Sequence, residues 1–137
     1  MARQITLEQA DQIVAACKAE ANAVGQPMNI AVVDDGGNLV AFAAMDGTKL
    51  IGVDIAQKKA LTAVYVQMDT GDLAPRVQPG QPLFGIESTT GGRLVVFGGG
   101  VLLRTSSGEV AGGVGVSAGS VDEDHQVAAA GAKAFTG

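Results

Sequence analysis

Histidine and cysteine each occur once in this chain of 137 residues, tryptophan is absent, and aromatic side chains make up only 4% of it. The lone Cys17 excludes an internal disulfide, and in an apolar helical pattern it reads as a small buried residue before it reads as a reactive thiol. The lone His125 adjoins Asp124 in a helical stretch, so there is no candidate Ser-His-Asp arrangement. Cations are also scarce, with nine Lys and Arg against fourteen Asp and Glu and a net charge of −5. Without a clustered cationic stripe to release counterions, nucleic acid is excluded as a partner. No stretch approaches the ~20 apolar residues of a membrane span. The opening Met1-Ala2-Arg3-Gln4-Ile5-Thr6 carries no apolar signal core. The expectation is a cytoplasmic protein with no membrane partner.

What is present is a 47% hydrophobic composition with mean hydropathy +0.27, enough for one real core, so residues 1–137 are expected to form a single domain. The apolar supply is mostly Val, Ala, Leu and Ile. Elements built from such small side chains pack closely, and a surface of this kind can also join subunits into a homo-oligomer. Twenty glycines punctuate the chain. The densest groups are Asp34-Asp35-Gly36-Gly37-Asn38, Gly91-Gly92, Phe97-Gly98-Gly99-Gly100 and Gly112-Gly113-Val114-Gly115-Val116-Ser117. Fixing glycine costs backbone entropy, so such clusters mark turns or places where another backbone or a ligand comes close.

Thr6-Leu7-Glu8-Gln9 is a capping box that starts a helix, whose apolar face is Leu7, Ala10, Val14, Cys17, Ala21 and Val24 and whose stop is Gly25 with Pro27. Residues 28–33 and 38–44 read as a hairpin joined through Asp-Asp-Gly-Gly. A second helix is expected from about Val53 to Gln67, and a short third one near residues 69–74. Pro75, Pro79, Gly80 and Pro82 then rule out a long regular element as far as Phe84. Residues 93–97, 101–104 and 110–116 read as three more strands, with Ser106-Ser107-Gly108 as the last turn. Ser120-Val121-Asp122-Glu123 opens a final helix that runs to about Phe135, its acidic first turn matching the helix dipole. Strands joined by two to five residues must be antiparallel neighbours.

The order of Ile30 to Val40, Met45-Asp46-Gly47, Asp54 to Ala60, Phe97 to Val101 and Gly112 to Ser117, with Asp124 downstream, resembles the GlcG/HbpS-like family over nearly the whole chain. Members of that family include secreted haem-binding sensors, and similar domains form the C-terminal part of PduO-type corrinoid adenosyltransferases. The resemblance implies an α/β (α+β) fold, profilin-like in topology, with a five-stranded antiparallel sheet flanked by helices and a symmetric oligomer. It also implies haem as a cofactor.

Haem iron needs a donor such as His, Cys, Met or Tyr. His125, the one imidazole, reads first as an exposed helix histidine among acidic neighbours and second as the haem ligand; Tyr65, Met28, Met45 and Met68 read first as packing. Lys59 lies on the apolar face of the second helix with Ile55 and Ala63. It is either a snorkelling lysine or the anchor of a ligand carboxylate, with Arg104 next in line. Asp34 and Asp46 flank glycines and either cap turns or contribute to a ligand site. Phe97, Gly98 and Gly99 complete the set of candidate ligand-binding residues. The glycine run is no phosphate loop, because a strand follows it and no Gly-Lys-Ser/Thr occurs. The function expected is binding of a small molecule, haem or another tetrapyrrole, in a pocket at a helix or subunit boundary. Two alternatives stand beside it: an accessory enzyme acting on a carboxylic acid or aldehyde, and a structural oligomeric partner of a catabolic enzyme.

Overall fold

Helix α1 (Leu7–Val24) begins at Thr6, whose hydroxyl accepts the Gln9 amide while the Gln9 side chain returns to the Thr6 amide, and it ends at Gly25 with φ 76°. That is the capping expected from the sequence. The buried face differs by a step: Leu7 is exposed, and Ile13 joins Ala10, Val14, Cys17 and Ala21 inside. Ile5, just before the cap, takes the buried place at the helix entry, and it shares a core cluster with Ala10. The apolar pair of a hydrophobic staple therefore sits across the cap rather than at Leu7.

The computed structural model describes residues 4–137. Strands β1 (Asn29–Asp34) and β2 (Leu39–Ala44) form the expected hairpin; helix α2 covers Ile51–Val66 and the short α3 covers Thr70–Leu73. Strands β3 (Gly100–Arg104) and β4 (Val110–Ser117) follow, then helix α4 (Val121–Lys133). Short 3-10 turns at Ala74–Val77 and Ile86–Thr90 are the only helical pieces in the proline-bearing stretch. The sheet is antiparallel throughout in the order β2-β1-β4-β3.

The expected fifth strand is not formed: among the described residues the sheet has four strands, and residues 93–97 are not one of them. The segment is docked along α2 instead. The Arg93 guanidinium lies 5.0 Å from the Tyr65 ring centre, the Val95 N–H donates to the Thr62 hydroxyl at 2.9 Å, and Phe97 covers the Lys59 ammonium at 5.1 Å. Alternate residues of the segment thus meet positions three apart on one helical face, so its backbone has a helix as neighbour and not a strand.

Helices α1 and α4 cover one face of the sheet over a core that includes Ile13, Met28, Ile30, Val32, Val114, Val116 and Val127. On the other face α2 packs on Ala31 and Val33 through Ala56, Ala60 and Val64. The glycines of β4 make that second layer possible. A Cβ at Gly113 would stand 2.5 Å from the Ala60 carbonyl oxygen, and one at Gly115 would collide with the Ala56 carbonyl. The helix backbone therefore rests almost on the strand, which is the close approach that the glycine cluster foretold.

Candidate functional site

Lys59 comes from α2 and Asp124 from α4, on opposite sides of the sheet, and they meet where β3 begins at its glycine run. The lysine is fully buried. Its Nζ donates to Asp124 Oδ2 at 2.8 Å and to the Val116 carbonyl at 2.8 Å, and the Phe97 ring lies over it. The other carboxylate oxygen of Asp124 accepts the Gly119 N–H at 2.9 Å, delivered by a bend at Ala118 with φ 107°. Burial lowers the Lys59 pKa from its ordinary value against the opposing pull of Asp124. Burial likewise raises Asp124, opposed by Lys59 and by the Gly119 amide. Gly99, at φ 124°, is the residue that permits the junction, since a Cβ there would stand 2.5 Å from Lys59 Nζ and 2.8 Å from the Val116 oxygen.

Beyond Phe97 the surface opens into a recess of about 350 Å³. Gly71, Asp72 and Ala74 form one wall, Phe97 and Gly98 the floor, and Val121, Asp122 and His125 of α4 the other wall. Phe97 is 41% and Val121 46% exposed, so an aromatic and an aliphatic surface stand open beside the imidazole. Gly71 borders the imidazole, and a Cβ there would stand in ordinary contact, 4.0 Å from His125 Nδ1 and 3.9 Å from the Gly98 Cα.

Of the residues singled out from the sequence, Lys59, Phe97, Gly98, Gly99 and His125 converge here. Lys59 does so in an unexpected role, because the carboxylate that it anchors belongs to Asp124 of its own chain and neither snorkelling nor a ligand contact is left to it. Asp34 stands apart and is used up in the hairpin turn, where Oδ1 accepts the Gly36 and Asn38 amides at 2.9 Å each. Arg104 is at the far end of β3 and braces its own hairpin by donating to the Gly108 carbonyl at 2.9 Å. Asp46 is exposed on a larger groove of about 660 Å³, with Lys18, Asn22 and Met45. That groove holds neither imidazole nor aromatic ring, and the Met45 sulfur already accepts the Met28 N–H at 3.4 Å. Cys17 is no donor either, since burial pushes its pKa up to about 12 and its thiol donates to the Val127 carbonyl at 3.4 Å.

Asp124, Gly71 and Val121 were not picked out as site residues. For Asp124 a signal existed, because a lysine on an apolar helical face that is buried and does not snorkel needs an acid partner in the fold. Among the described residues no cluster of three or more His, Cys, Asp or Glu could hold a metal ion. No helix among them is long and apolar enough to cross a membrane.

The family model for the haem degrading protein HbpS-like family matches residues 5–133. This chain belongs to the HbpS-like family. It is 38% identical over 124 residues to a 15.0 kDa protein from the dhaT-dhaS intergenic region of Citrobacter freundii, covering 90% of this chain and 87% of that one. It is 35% identical over 127 residues, 93% of its length, to the corrinoid adenosyltransferase PduO of the same organism, of which it spans 38%. A solved PduOC:heme complex superposes with a TM-score of 0.91 at 34% identity, covering 95% of this chain and 94% of that one.

Proposed function

We propose that this HbpS-like chain binds haem, or a closely related tetrapyrrole, in the recess between α3 and α4, where His125 is the side chain that would hold its iron. The observation that carries the reading is that the chain's single imidazole opens on a recess floored by Phe97 and Gly98 and walled by Val121. A flat apolar ring system needs contact surfaces of that kind, and iron needs an axial donor such as an imidazole. The haem in the PduOC complex supports the choice of ligand class. Bound here, the iron would supply the redox and ligand-exchange chemistry, while the protein orients His125 and shields one face of the ring through Phe97 and Val121.

The test is a haem titration followed in the Soret band. The parent protein should shift the band, and His125→Ala should lose at least tenfold in affinity, ~1.4 kcal/mol, together with the spectrum of imidazole-ligated iron. Gly71→Leu, which fills the recess beside the imidazole, should weaken binding as well. A folded His125→Ala with parental affinity and spectrum would remove His125 from the site.

A further inference from the structure

The rim of the recess between α3 and α4 carries charge of one sign. Asp72 of α3 stands on one wall and Asp122 of α4 on the other, both exposed, and neither is in an ion pair among the described residues. Asp122 precedes His125 by three positions in α4, which puts carboxylate and imidazole on one helical face. No Lys or Arg is among the described residues that line the recess, and Lys59, beneath Phe97, is committed to Asp124. The net charge of −5 on the whole chain adds to the negative field at the opening.

A rim of this sign discriminates among tetrapyrroles by their periphery. The metallated ring of ferric haem is a cation, but its two propionates reverse the sign, and carboxylates gain nothing beside Asp72 and Asp122. Carboxamide arms act in the opposite way. They add no charge, so the ring with its metal stays cationic, and each arm offers N–H donors with which a carboxylate makes charge-assisted hydrogen bonds. Arms that leave the ring plane also need unobstructed space beside the axial imidazole. The small residues Gly71, Ala74 and Gly98 leave it there, and outside its own helix a Cβ added at Gly71 would meet nothing nearer than 3.9 Å.

We propose that Asp72 and Asp122 select for this recess a metallated tetrapyrrole with carboxamide arms, a corrinoid, in preference to haem. The proposal rests on the reading of the recess as a tetrapyrrole site with His125 as its metal donor, and it assigns to the two acids the choice among such rings. The phenyl face of Phe97 and the aliphatic Val121 contact the ring in either case, and an imidazole serves cobalt(III) as it serves iron. What differs is the edge, where a corrinoid meets two acceptors and a haem meets two like charges.

The probes are diaquacobinamide, a corrinoid without a nucleotide arm, and ferric haem, each titrated into the parent protein at low ionic strength and followed in its own visible bands. Cobinamide should bind more tightly, displace haem in competition, and show the band shift of an imidazole replacing water on cobalt, which His125→Ala should lose. Asp72→Asn with Asp122→Asn should weaken cobinamide by about three- to tenfold, the scale of two exposed charge contacts. The loss should fade at high salt, and haem should move in the opposite direction. Both positions are exposed, so the double variant should keep the parental circular dichroism. Haem binding without cobinamide binding, or cobinamide held equally by parent and double variant, would overturn the proposal and leave the haem reading standing. Failure of both ligands to bind would overturn the tetrapyrrole reading itself, and this proposal with it.

Discussion

Lys59 Nζ and Asp124 Oδ2 lie 2.8 Å apart with the lysine fully buried and the aspartate nearly so, which makes this ion pair the tie between the two helical layers. Removing one partner leaves an uncompensated buried charge, so Lys59→Met should cost about 3–5 kcal/mol, whereas Lys59→Met with Asp124→Asn should recover much of the loss. The pH dependence gives the sharper reading. With Lys59 gone, burial acts on Asp124 with little opposition and its folded pKa stands above the unfolded value of about 3.9. A raised carboxyl contributes stability that is complete below the unfolded pKa and is lost as pH rises through the folded one. Lys59→Met should therefore melt higher at mildly acidic than at alkaline pH, with a steeper slope than the parent. Equal slopes would mean that Asp124 finds another partner.

Gly99 carries the second prediction. Its φ of 124° disfavours any side chain, and a Cβ would meet Lys59 Nζ, the Val116 oxygen and Asp124 Cβ at 2.5, 2.8 and 3.0 Å. Backbone strain and overpacking each cost about 1–3 kcal/mol, so Gly99→Ala should lose about 3 kcal/mol or more in denaturant unfolding. Gly80→Ala makes the control: it has a positive φ of 87° but nothing within 4 Å of its Cβ, and so should lose only the backbone share.

Local chemistry was legible in the sequence where it closes on itself. Both capping boxes, the Gly25 stop, the Asp34 turn and the two hairpins each depend on residues within a few positions of one another, and all are present. What the sequence left open was the choice of partner at a distance. Residues 93–97 have the composition of a strand, but whether an extended segment pairs with a strand or lies along Tyr65, Thr62 and Lys59 depends on what the sheet edge already offers. There Asp69 and Thr70 had taken the outward amides of β3. The same holds for the site. The glycine run, Phe97, His125 and Lys59 could be named from the sequence, but whether the lysine faced a ligand or an acid of its own chain rested on a contact 65 residues away.

The rim of the recess supplies the last prediction. Asp72 and Asp122 border it, no Lys or Arg is among the described residues that line it, and Lys59 is shut behind Phe97 and bound to Asp124. The carboxylates of a haem therefore meet like charge at the rim and gain no ion pair from it, so the apolar ring and the metal must carry the affinity. Neutralising the rim should then help. Exposed charge pairs are worth about 0–1 kcal/mol each, so Asp72→Asn with Asp122→Asn should tighten haem by up to about tenfold at low salt. The gain should shrink as salt screens the rim. The measurement is the Soret titration at two ionic strengths. Weaker binding by the double variant would place these two acids among the groups that hold the ligand, and the reading of the rim as repulsive would fall.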